Sequence, residues 1–187
     1  MRGEAASGYY SDLGLKRFDR HFLYIAPDYF IVWDELETEK PSDFTFLLNA
    51  DREIKLNKNT ADFINETAAL RVIRVAPNEA KSSVAPQMIQ ARGLPGSVDK
   101  GNSEQRGVQL QTVSTEKQKK FEFLHFLQPI SSADKTPAPK IERTTSGLKI
   151  FWANGDEDSI NLRAGMRSIE RRRRGKTLPK MILQNRK

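Results

Sequence analysis

The sequence contains two histidines, His21 and His125, and no cysteine. The absence of cysteine excludes disulfides, thiolate metal sites and cysteine nucleophiles. The two histidines lie far apart in the chain, without the short spacing that metal-binding motifs show. Each lies within an apolar stretch, so we expect a packed or edge histidine held by a hydrogen bond rather than a catalytic or metal-binding one.

Acidic side chains occur at two places where they could do chemistry. Asp34 and Glu35 could form a carboxylate pair for acid–base catalysis, but adjacent residues of a strand point to opposite faces and cannot share one site. The acidic run 156–158 follows Gly155, but calcium needs about six to eight oxygen ligands, and the sequence lacks EF-hand spacing. We expect a solvated turn there, and we predict neither a metal site nor a cofactor site.

Four tyrosines could act as an acid or a base. Tyr9 and Tyr10 follow Gly8 in a predicted loop, where we expect them to be exposed. Tyr24 and Tyr29 flank a predicted turn, where we expect them to anchor the packing of a sheet. The sequence contains no dinucleotide-binding glycine motif, P-loop, nucleophile elbow or zinc-protease motif. The residues alone therefore indicate a domain without a self-contained active site, and we predict no catalytic residue in this chain.

The formal net charge of +7 is concentrated at one end of the chain. Ten of the 31 basic residues lie in residues 163–187, so the remainder carries a small net negative charge. A run of like charges such as Arg171–Arg174 is typical of a solvated tail that binds polyanions without specificity. Aromatic residues do not interleave with this run, and no DNA-reading motif is present, so we do not expect a nucleic-acid partner.

The elements that must position these side chains are predicted to be strands, because short apolar or alternating runs recur between turn residues. The run 121–127 is apolar on both faces and should form a central strand. Regular short strands predict an all-β fold, an antiparallel β-sandwich over residues 1–162. The predicted strands are 21–25, 29–33, 44–48, 54–56, 63–64, 70–75, 108–112, 121–127, 148–152 and 159–162.

Two regions lack this pattern. Residues 77–106 predict a long loop with at most a brief strand near Met88. Residues 163–187 predict a basic tail that is either a short helix or disordered. No apolar run approaches the ~18–20 residues of a membrane helix, so we expect no membrane partner. The first eight residues lack the apolar region of a secretory signal, which indicates either a cytosolic protein or a fragment that begins at an added Met1.

The stretch Arg17–Leu36 reads RFDRHFLYIAPDYFIVWDEL and combines an arginine-led strand, a Pro-Asp-Tyr turn and a second strand that ends in Asp-Glu-Leu. It resembles a signature of heparinase II/III-like polysaccharide lyases and of related alginate-lyase-like proteins. Phe44–Asn49 is similar to the strand that follows in that family, and Phe121–Pro129 is similar to a late strand. The similarity covers roughly residues 8–165, and the basic tail lies outside it.

The resemblance implies the C-terminal β-sandwich of an enzyme that cleaves uronic-acid-containing polysaccharide by β-elimination. In that family an α/α-toroid domain precedes the sandwich, and the catalytic residues come from the toroid and from an early part of the sandwich. Both would lie upstream of Met1, so no catalytic, substrate-binding or metal-binding residue is transferred to this chain. The resemblance further implies an acidic polysaccharide and the missing toroid as partners, a homodimer through uncovered apolar surface, and a bacterial parent protein that is periplasmic or secreted.

Two other functions are compatible with the sequence. A free-standing carbohydrate-binding module would need an exposed aromatic platform, for which Trp33 and Trp152 are candidates, although both lie in predicted strand cores where we expect burial. A polyanion-binding protein would act through residues 163–187, and its binding would weaken with salt and vanish when those residues are deleted.

Overall fold

The structure is a computed structural model that describes residues 1–90, 104–163 and 167–183; for residues 87–90 and 104–106 it describes the backbone only. The described residues form strands and two short 3-10 turns, Ala6–Gly8 and Ser11–Leu13, which confirms the all-β prediction. The strands are β1 Arg2–Glu4, β2 Leu15–Ile25, β3 Tyr29–Ser42, β4 Thr45–Ala50, β5 Ile54–Asn57, β6 Thr60–Ile64, β7 Ala68–Ala76, β8 Lys81–Gln90, β9 Glu104–Val113, β10 Gln118–Ser131, β11 Lys140–Arg143, β12 Gly147–Phe151, β13 Glu157–Asn161, β14 Ser168–Arg173, β15 Lys176–Thr177 and β16 Met181–Ile182.

The largest sheet has seven antiparallel strands in the order β1-β2-β3-β10-β7-β6-β5. Strand β10 occupies the middle position, which confirms the prediction made from its two apolar faces. The predicted hairpins also form, since Pro27 and Asp28 turn the chain between β2 and β3, and Gly155 lies in the turn between β12 and β13. None of the helices among the described residues is long and apolar enough to cross a membrane.

A smaller sheet packs on each face of the seven-stranded sheet. One has the order β4-β9-β8, and the other has the order β11-β12-β13-β14-β15 with β16 paired to β14. Alternation along the strands separates two cores, one against each smaller sheet. The predicted antiparallel sandwich is therefore confirmed, with the seven-stranded sheet as the middle layer. The core toward the β11–β16 sheet includes Leu23, Ile31, Phe126, Ile150 and Ile169. The core toward the β4-β9-β8 sheet includes Val32, Phe46, Phe63, Leu110 and Phe123.

The long loop predicted at residues 77–106 is wrong at both of its ends, because β8 and the start of β9 pair with each other there. Residues 91–103, in the middle of that prediction, lie outside the described residues. Strand β8 is at the edge of its sheet, where Pro86 is tolerated because an edge residue need not donate a ladder hydrogen bond. Because β8 has a polar composition and contains a proline, its sequence predicted a loop instead of an edge strand.

The short helix or disordered tail predicted for residues 163–187 is also wrong over Ser168–Ile182. Strand β14 pairs along its length with β13, and Ile169 is fully buried in the core. The arginines follow in the same strand, where alternate positions point toward solvent and toward the sheet stack. Residues 164–166 and 184–187 lie outside the described residues.

Candidate functional site

The β2–β3 hairpin presents two chemically different faces. Residues directly opposite each other in an antiparallel pair share a face, so the pairs Arg20–Asp34 and Tyr24–Phe30 lie on one side and His21–Trp33 lies on the other. The outer face, toward the β4-β9-β8 sheet, carries Phe18, Arg20, Phe22, Tyr24, Phe30, Val32, Asp34 and Leu36. The inner face, toward the β11–β16 sheet, carries Asp19, His21, Leu23, Ile31, Trp33 and Glu35.

A groove of about 430 Å³ runs between the outer face and strand β4. Its lining combines apolar and aromatic side chains with polar ones, which include the carboxylate of Asp43 and the ion pair of Arg20 with Asp34. Arg20 donates two hydrogen bonds of 2.7 Å to the buried carboxylate of Asp34, and this contact raises the pKa of Arg20. The Arg20 guanidinium carbon also lies 5.5 Å from the ring centroids of Phe18 and Phe46. The groove therefore holds a cation that is paired with Asp34 and lies near two aromatic rings, and Asp43 adds a negative charge.

An aromatic row continues the outer face beyond the groove, and we define it as Phe22, Tyr24 and Phe30. The Phe30 ring centroid lies 5.2 Å from that of Phe22 and 4.7 Å from that of Tyr24. The side chains of Phe22 and Tyr24 are 40% and 53% exposed. Grouped exposed rings are a common feature of binding surfaces, so we take this row as the candidate ligand-contact surface. Sequence reasoning missed the row, although aromatic residues at alternate positions of β2 were a usable signal.

An ionic network occupies the inner face and runs Arg2–Asp19–Arg17–Glu35–His21–Arg167. Asp19 accepts hydrogen bonds from Arg2 and Arg17, the shortest at 2.6 Å. Burial alone would raise the pKa of Asp19, but these arginine hydrogen bonds outweigh it and lower that pKa. Arg17 also donates to Glu35 at 2.7 Å. Each carboxylate of the network is thus paired with at least one arginine.

His21 lies at the centre of this network and is 2% exposed. Arg167 donates to its Nδ1 at 2.8 Å, so the neutral ring carries its proton on Nε2 and donates it to Glu35 at 2.9 Å. Burial lowers the pKa of His21, although the hydrogen bond to Glu35 opposes that shift. The imidazole also stacks on Trp33 at 4.8 Å. The predicted packed and hydrogen-bonded histidine is confirmed, and neither nitrogen is free to act as a base.

His125 has the opposite environment. It is 1% exposed, its ring centroid lies 3.9 Å from that of Phe46, and neither ring nitrogen has a hydrogen-bond partner among the described residues. The prediction of burial is confirmed, but the predicted hydrogen bond is wrong. Burial lowers the pKa of His125 to about 3, and the nearby guanidinium groups of Arg74 and Arg20 act in the same direction.

The predicted solvated turn at residues 156–158 is wrong for Asp158, which is fully buried. Its carboxylate accepts a hydrogen bond of 2.9 Å from the Tyr29 hydroxyl and pairs with Arg173 at 2.5 Å. Burial and the neighbouring Asp158 carboxylate raise the pKa of Tyr29, which keeps this phenol neutral. Asp158 lies on β13, which pairs with β14. The sequence did not predict strand β14, and so it did not predict the burial of Asp158. Among the described residues, no cluster of acidic or histidine side chains could hold a metal ion.

The remaining aromatic predictions have mixed outcomes. Tyr29 is fully buried, as expected of a packing anchor, whereas Tyr24 lies at the surface in the aromatic row. Tyr9 and Tyr10 are exposed, as predicted. Trp33 is only partly buried, and its indole Nε1 donates to Glu122 at 3.0 Å. Trp152 is also partly buried and packs 5.7 Å from Tyr29, centroid to centroid.

The inner face carries the paired ionic network, whereas on the outer face the rings of Phe22 and Tyr24 are left exposed. Asp34 and Glu35 lie on opposite faces, which confirms that they cannot form one catalytic pair. No protein-family model matches the chain, and no curated protein matches it either.

Proposed function

We propose that this chain is the C-terminal β-sandwich part of a heparinase II/III-like polysaccharide lyase that acts on uronic-acid-containing glycans by β-elimination. Its own role in this proposal is to brace an upstream α/α-toroid domain and to form one wall of the glycan cleft. The resemblance supports the proposal, since its most specific part, residues 17–36, forms the β2–β3 hairpin. The aromatic row is the observation that supports the outer face as the wall of the glycan cleft.

The row has the properties that a chain of sugar rings requires. The faces of a pyranose ring carry C–H groups, which pack well against exposed aromatic rings. Side chains two residues apart on a strand lie ~7 Å apart, so Phe22 and Tyr24 offer successive apolar surfaces along one direction. The adjoining groove adds Arg20, whose guanidinium lies over two further aromatic rings. An extended glycan could therefore lie along β2 and contact both regions.

Charge and catalysis are not supplied by this wall. The Arg20 charge is balanced by Asp34, so support for an acidic glycan comes from the resemblance alone. Neither histidine suits general acid–base chemistry, because His21 is hydrogen-bonded at both nitrogens and His125 is enclosed between aromatic rings. The base and acid of β-elimination belong to the upstream domain in this proposal, and no residue of this chain is assigned to catalysis.

The test is calorimetric titration of alginate, heparan sulfate and chondroitin into the whole chain and two variants. We expect one of these glycans to bind, and we expect the double substitution Phe22→Ala/Tyr24→Ala to weaken binding at least about tenfold, or about 1.4 kcal/mol. Tyr10→Ala is the matched control, because Tyr10 is 84% exposed and lies outside the row. Equal binding by the double variant would contradict the aromatic wall, and no binding by the whole chain would contradict glycan recognition by this sandwich.

A non-catalytic carbohydrate-binding module is a second candidate, and the exposed aromatic row favours it as well. The two functions differ in what the isolated chain can do. A module binds glycan with full affinity by itself, whereas a cleft wall gains affinity when the upstream domain is joined to it. Titration of the same glycan into the chain with and without its upstream domain separates them.

Polyanion binding through the C-terminal arginines is less well supported. Arg171 pairs with Asp28 at 3.1 Å, and Arg173 pairs with Asp158, so half of the arginine run is engaged in the sheet stack. Deleting residues 163–187 would remove β14 with the buried Ile169, and so would test folding rather than charge. The double substitution Arg172→Ser/Lys176→Ser removes two exposed charges instead. Loss of glycan binding in that variant alone would favour the polyanion function.

A further inference from the structure

Strand β4 forms part of the wall of the groove on the outer face and is also an edge of its own sheet. Among the described strands only β9 pairs with it, so its other side adjoins no strand. Residues 43–47 line the groove, which places the groove alongside this open edge. The edge therefore combines unpaired backbone with a ready-made cavity.

The hydrogen bonds to β9 fix which backbone groups of β4 point away from it. The N–H of Ser114 donates to the carbonyl of Phe44 at 2.9 Å, so Phe44 faces β9. Positions that face the partner recur at every second residue of an antiparallel ladder, so Phe46 is the next one. Strand β8 gives the same phase, because Pro86 has no N–H and lies opposite Val108, which therefore faces β4. The intervening residues of β4 direct their N–H and C=O groups to the open edge. These residues are Thr45, Leu47 and Asn49.

The two edges of this sheet differ in how they are protected against strand addition. Strand β8 carries Lys81 and Pro86, and both residue types hinder the addition of another strand. Strand β4 reads TFLLNA and has neither a charge nor a proline. The edge-facing N–H and C=O groups of β4 have no hydrogen-bond partner among the described residues, and the three residues that carry them are exposed. Such an edge is the kind of surface to which an extended peptide adds as a further strand.

The groove indicates the side chains that an added strand should carry. Phe44 and Phe46 point inward from β4 and are buried. Residues opposite each other in a strand pair share a face, so every second side chain of an added strand would enter the groove. The groove presents Phe18 and Leu36 among its apolar lining residues. These alternate side chains should therefore be apolar.

The charges at the two ends of β4 indicate the partner's ends. Asp43 precedes the strand, Asp51 follows it, and both are exposed. Asp43 lies 3.8 Å from the exposed Lys117, and Asp51 forms no ion pair within the described part of the chain. A basic residue at each end of an added strand would complement these carboxylates. A second copy of this chain would not, because an antiparallel pair that uses all three edge residues places Asp43 opposite Asp51 of the second copy.

We propose that the open edge of β4 binds an extended segment of a partner protein, which adds to the three-stranded sheet as a further strand. The segment alternates apolar residues, which face the groove, with polar residues, and it has a basic residue at each end. This inference goes beyond the proposed function, because backbone groups of β4 bind a peptide here, whereas the glycan of that proposal rests on the aromatic row.

The charge argument is tested with a peptide of matching length. The probe is fluorescein-labelled Arg-Val-Thr-Val-Thr-Val-Thr-Val-Arg, which spans residues 43–51 and presents valine to the groove in either direction. Its control has glutamate in place of both arginines. By fluorescence anisotropy on the whole chain, we expect the basic-ended peptide to bind saturably and at least about tenfold more tightly than the acidic-ended one. In the Asp43→Lys/Asp51→Lys variant this preference should reverse.

The backbone argument is tested at Leu47. Leu47→Pro removes an N–H at the open edge but none that bonds to β9, and it should weaken binding of the basic-ended peptide at least about tenfold. Leu47→Thr is the matched control, because it changes the same side chain and keeps the N–H, and it should bind within about threefold of the unsubstituted chain. Urea unfolding checks that both variants fold.

Nuclear magnetic resonance locates the peptide on the unsubstituted chain, independently of any variant. The amide resonances of Thr45, Leu47 and Asn49 should shift saturably on titration of the basic-ended peptide. The amide of Val84 is the control, since Val84 lies on the other edge of the same sheet and should not shift. The Phe22→Ala/Tyr24→Ala variant should keep full affinity for the peptide, which separates this site from the aromatic row.

Four results would overturn the proposal. They are no saturable binding of the basic-ended peptide, equal affinity for the two peptides, undiminished affinity in a folded Leu47→Pro variant, and amide shifts at Val84 instead of at β4. A dimer of the whole chain in sedimentation equilibrium that Leu47→Pro dissociates would also overturn it, because the occupant of the edge would then be a second copy.

Discussion

Alternate residues of the same two strands form the inner and outer faces of the β2–β3 hairpin, yet buried polar groups have opposite environments on the two sides. On the inner face, charged side chains surround His21 and satisfy both of its ring nitrogens. Toward the outer side, His125 lies among aromatic rings with both nitrogens unpartnered in the described structure, and the rings of Phe22 and Tyr24 are exposed on the same side of the sheet. A saturated polar network holds sheets together, whereas exposed apolar surface is available for binding.

Burial of a titratable group does not by itself identify a functional site. Both histidines are buried and both have a lowered pKa, but for His21 this follows from burial within a paired network, and for His125 from burial among rings. The surface that could bind a ligand contains neither. The following substitutions test whether the inner face is structural and the outer face is open.

The largest effect is expected at Asp158, on the inner side of the seven-stranded sheet. Asp158→Ala should reduce the free energy of unfolding by about 3–5 kcal/mol, because it leaves Arg173 and the buried Tyr29 hydroxyl without their shared partner. Urea unfolding measures the change. Asp43→Ala is the control, since the Asp43–Lys117 pair is exposed, and it should cost less than about 1 kcal/mol. A loss as small at Asp158 as at Asp43 would contradict a structural inner side.

The next largest effect is expected at His125, which should make the free energy of unfolding fall at acidic pH. Its pKa in the folded chain is about 3, below its ordinary value near 6.5, so the unfolded chain takes up a proton first as pH falls. Stability is therefore lost below about pH 6.5 and down toward about pH 3, and His125 should account for about 2 kcal/mol at pH 5. His125→Leu removes this dependence and breaks no hydrogen bond within the described part of the chain. Urea unfolding at pH 7.5 and pH 5 should show a smaller acid loss in the variant, and an unchanged loss would refute the assignment.

Glu35→Gln should have an intermediate effect on the inner face. The amide still accepts from His21, but the ion pair with Arg17 is lost, so we expect a cost of about 1 kcal/mol. The carboxylate of Glu35 opposes the lowering of the His21 pKa, and its removal should therefore lower that pKa further. Titration of the His21 ring protons by nuclear magnetic resonance gives the direction. A rise in the His21 pKa would contradict the interaction of His21 with the Glu35 carboxylate.

The smallest effect on stability is expected on the outer face. Phe22→Ala/Tyr24→Ala removes two half-exposed rings and should reduce the free energy of unfolding by about 1 kcal/mol or less. The same variant should lose most of its glycan affinity, so binding and stability should separate. A loss of several kcal/mol in thermal or urea unfolding would mean that the row is part of the core, which would remove the contrast between the two faces.

Most of the correct predictions came from the alternation of successive side chains between the two faces of a strand. It placed Asp34 and Glu35 on opposite faces and identified β10 as a central strand, since strand geometry alone settles both points. It failed where a strand lies at a sheet edge or carries charge. Strand β8 is polar with a proline, and β14 is rich in arginine, so neither has the apolar pattern that marks a strand.

The candidate sites were less predictable than the fold. The sequence predicted a solvated carboxylate at Asp158, but the structure buries this side chain on β13, which pairs with β14. The exposed rings of Phe22 and Tyr24 belong to a run that reads as apolar core. Exposure depends on which sheet covers which part of a strand, and this is not a property of the strand itself.

The all-β class, the principal hairpins and the side of the sheet to which each residue of β2 and β3 points could be predicted from the sequence. These follow from local turn chemistry and from the two-residue repeat of extended backbone. Only packing between the sheets gives His21 a hydrogen bond at each ring nitrogen and leaves both nitrogens of His125 without a partner among the described residues. The same packing buries Asp158 beside Arg173 and leaves the rings of Phe22 and Tyr24 exposed. Those outcomes require side chains distant in the chain to meet, because burial and hydrogen-bond partners are set by packing between sheets.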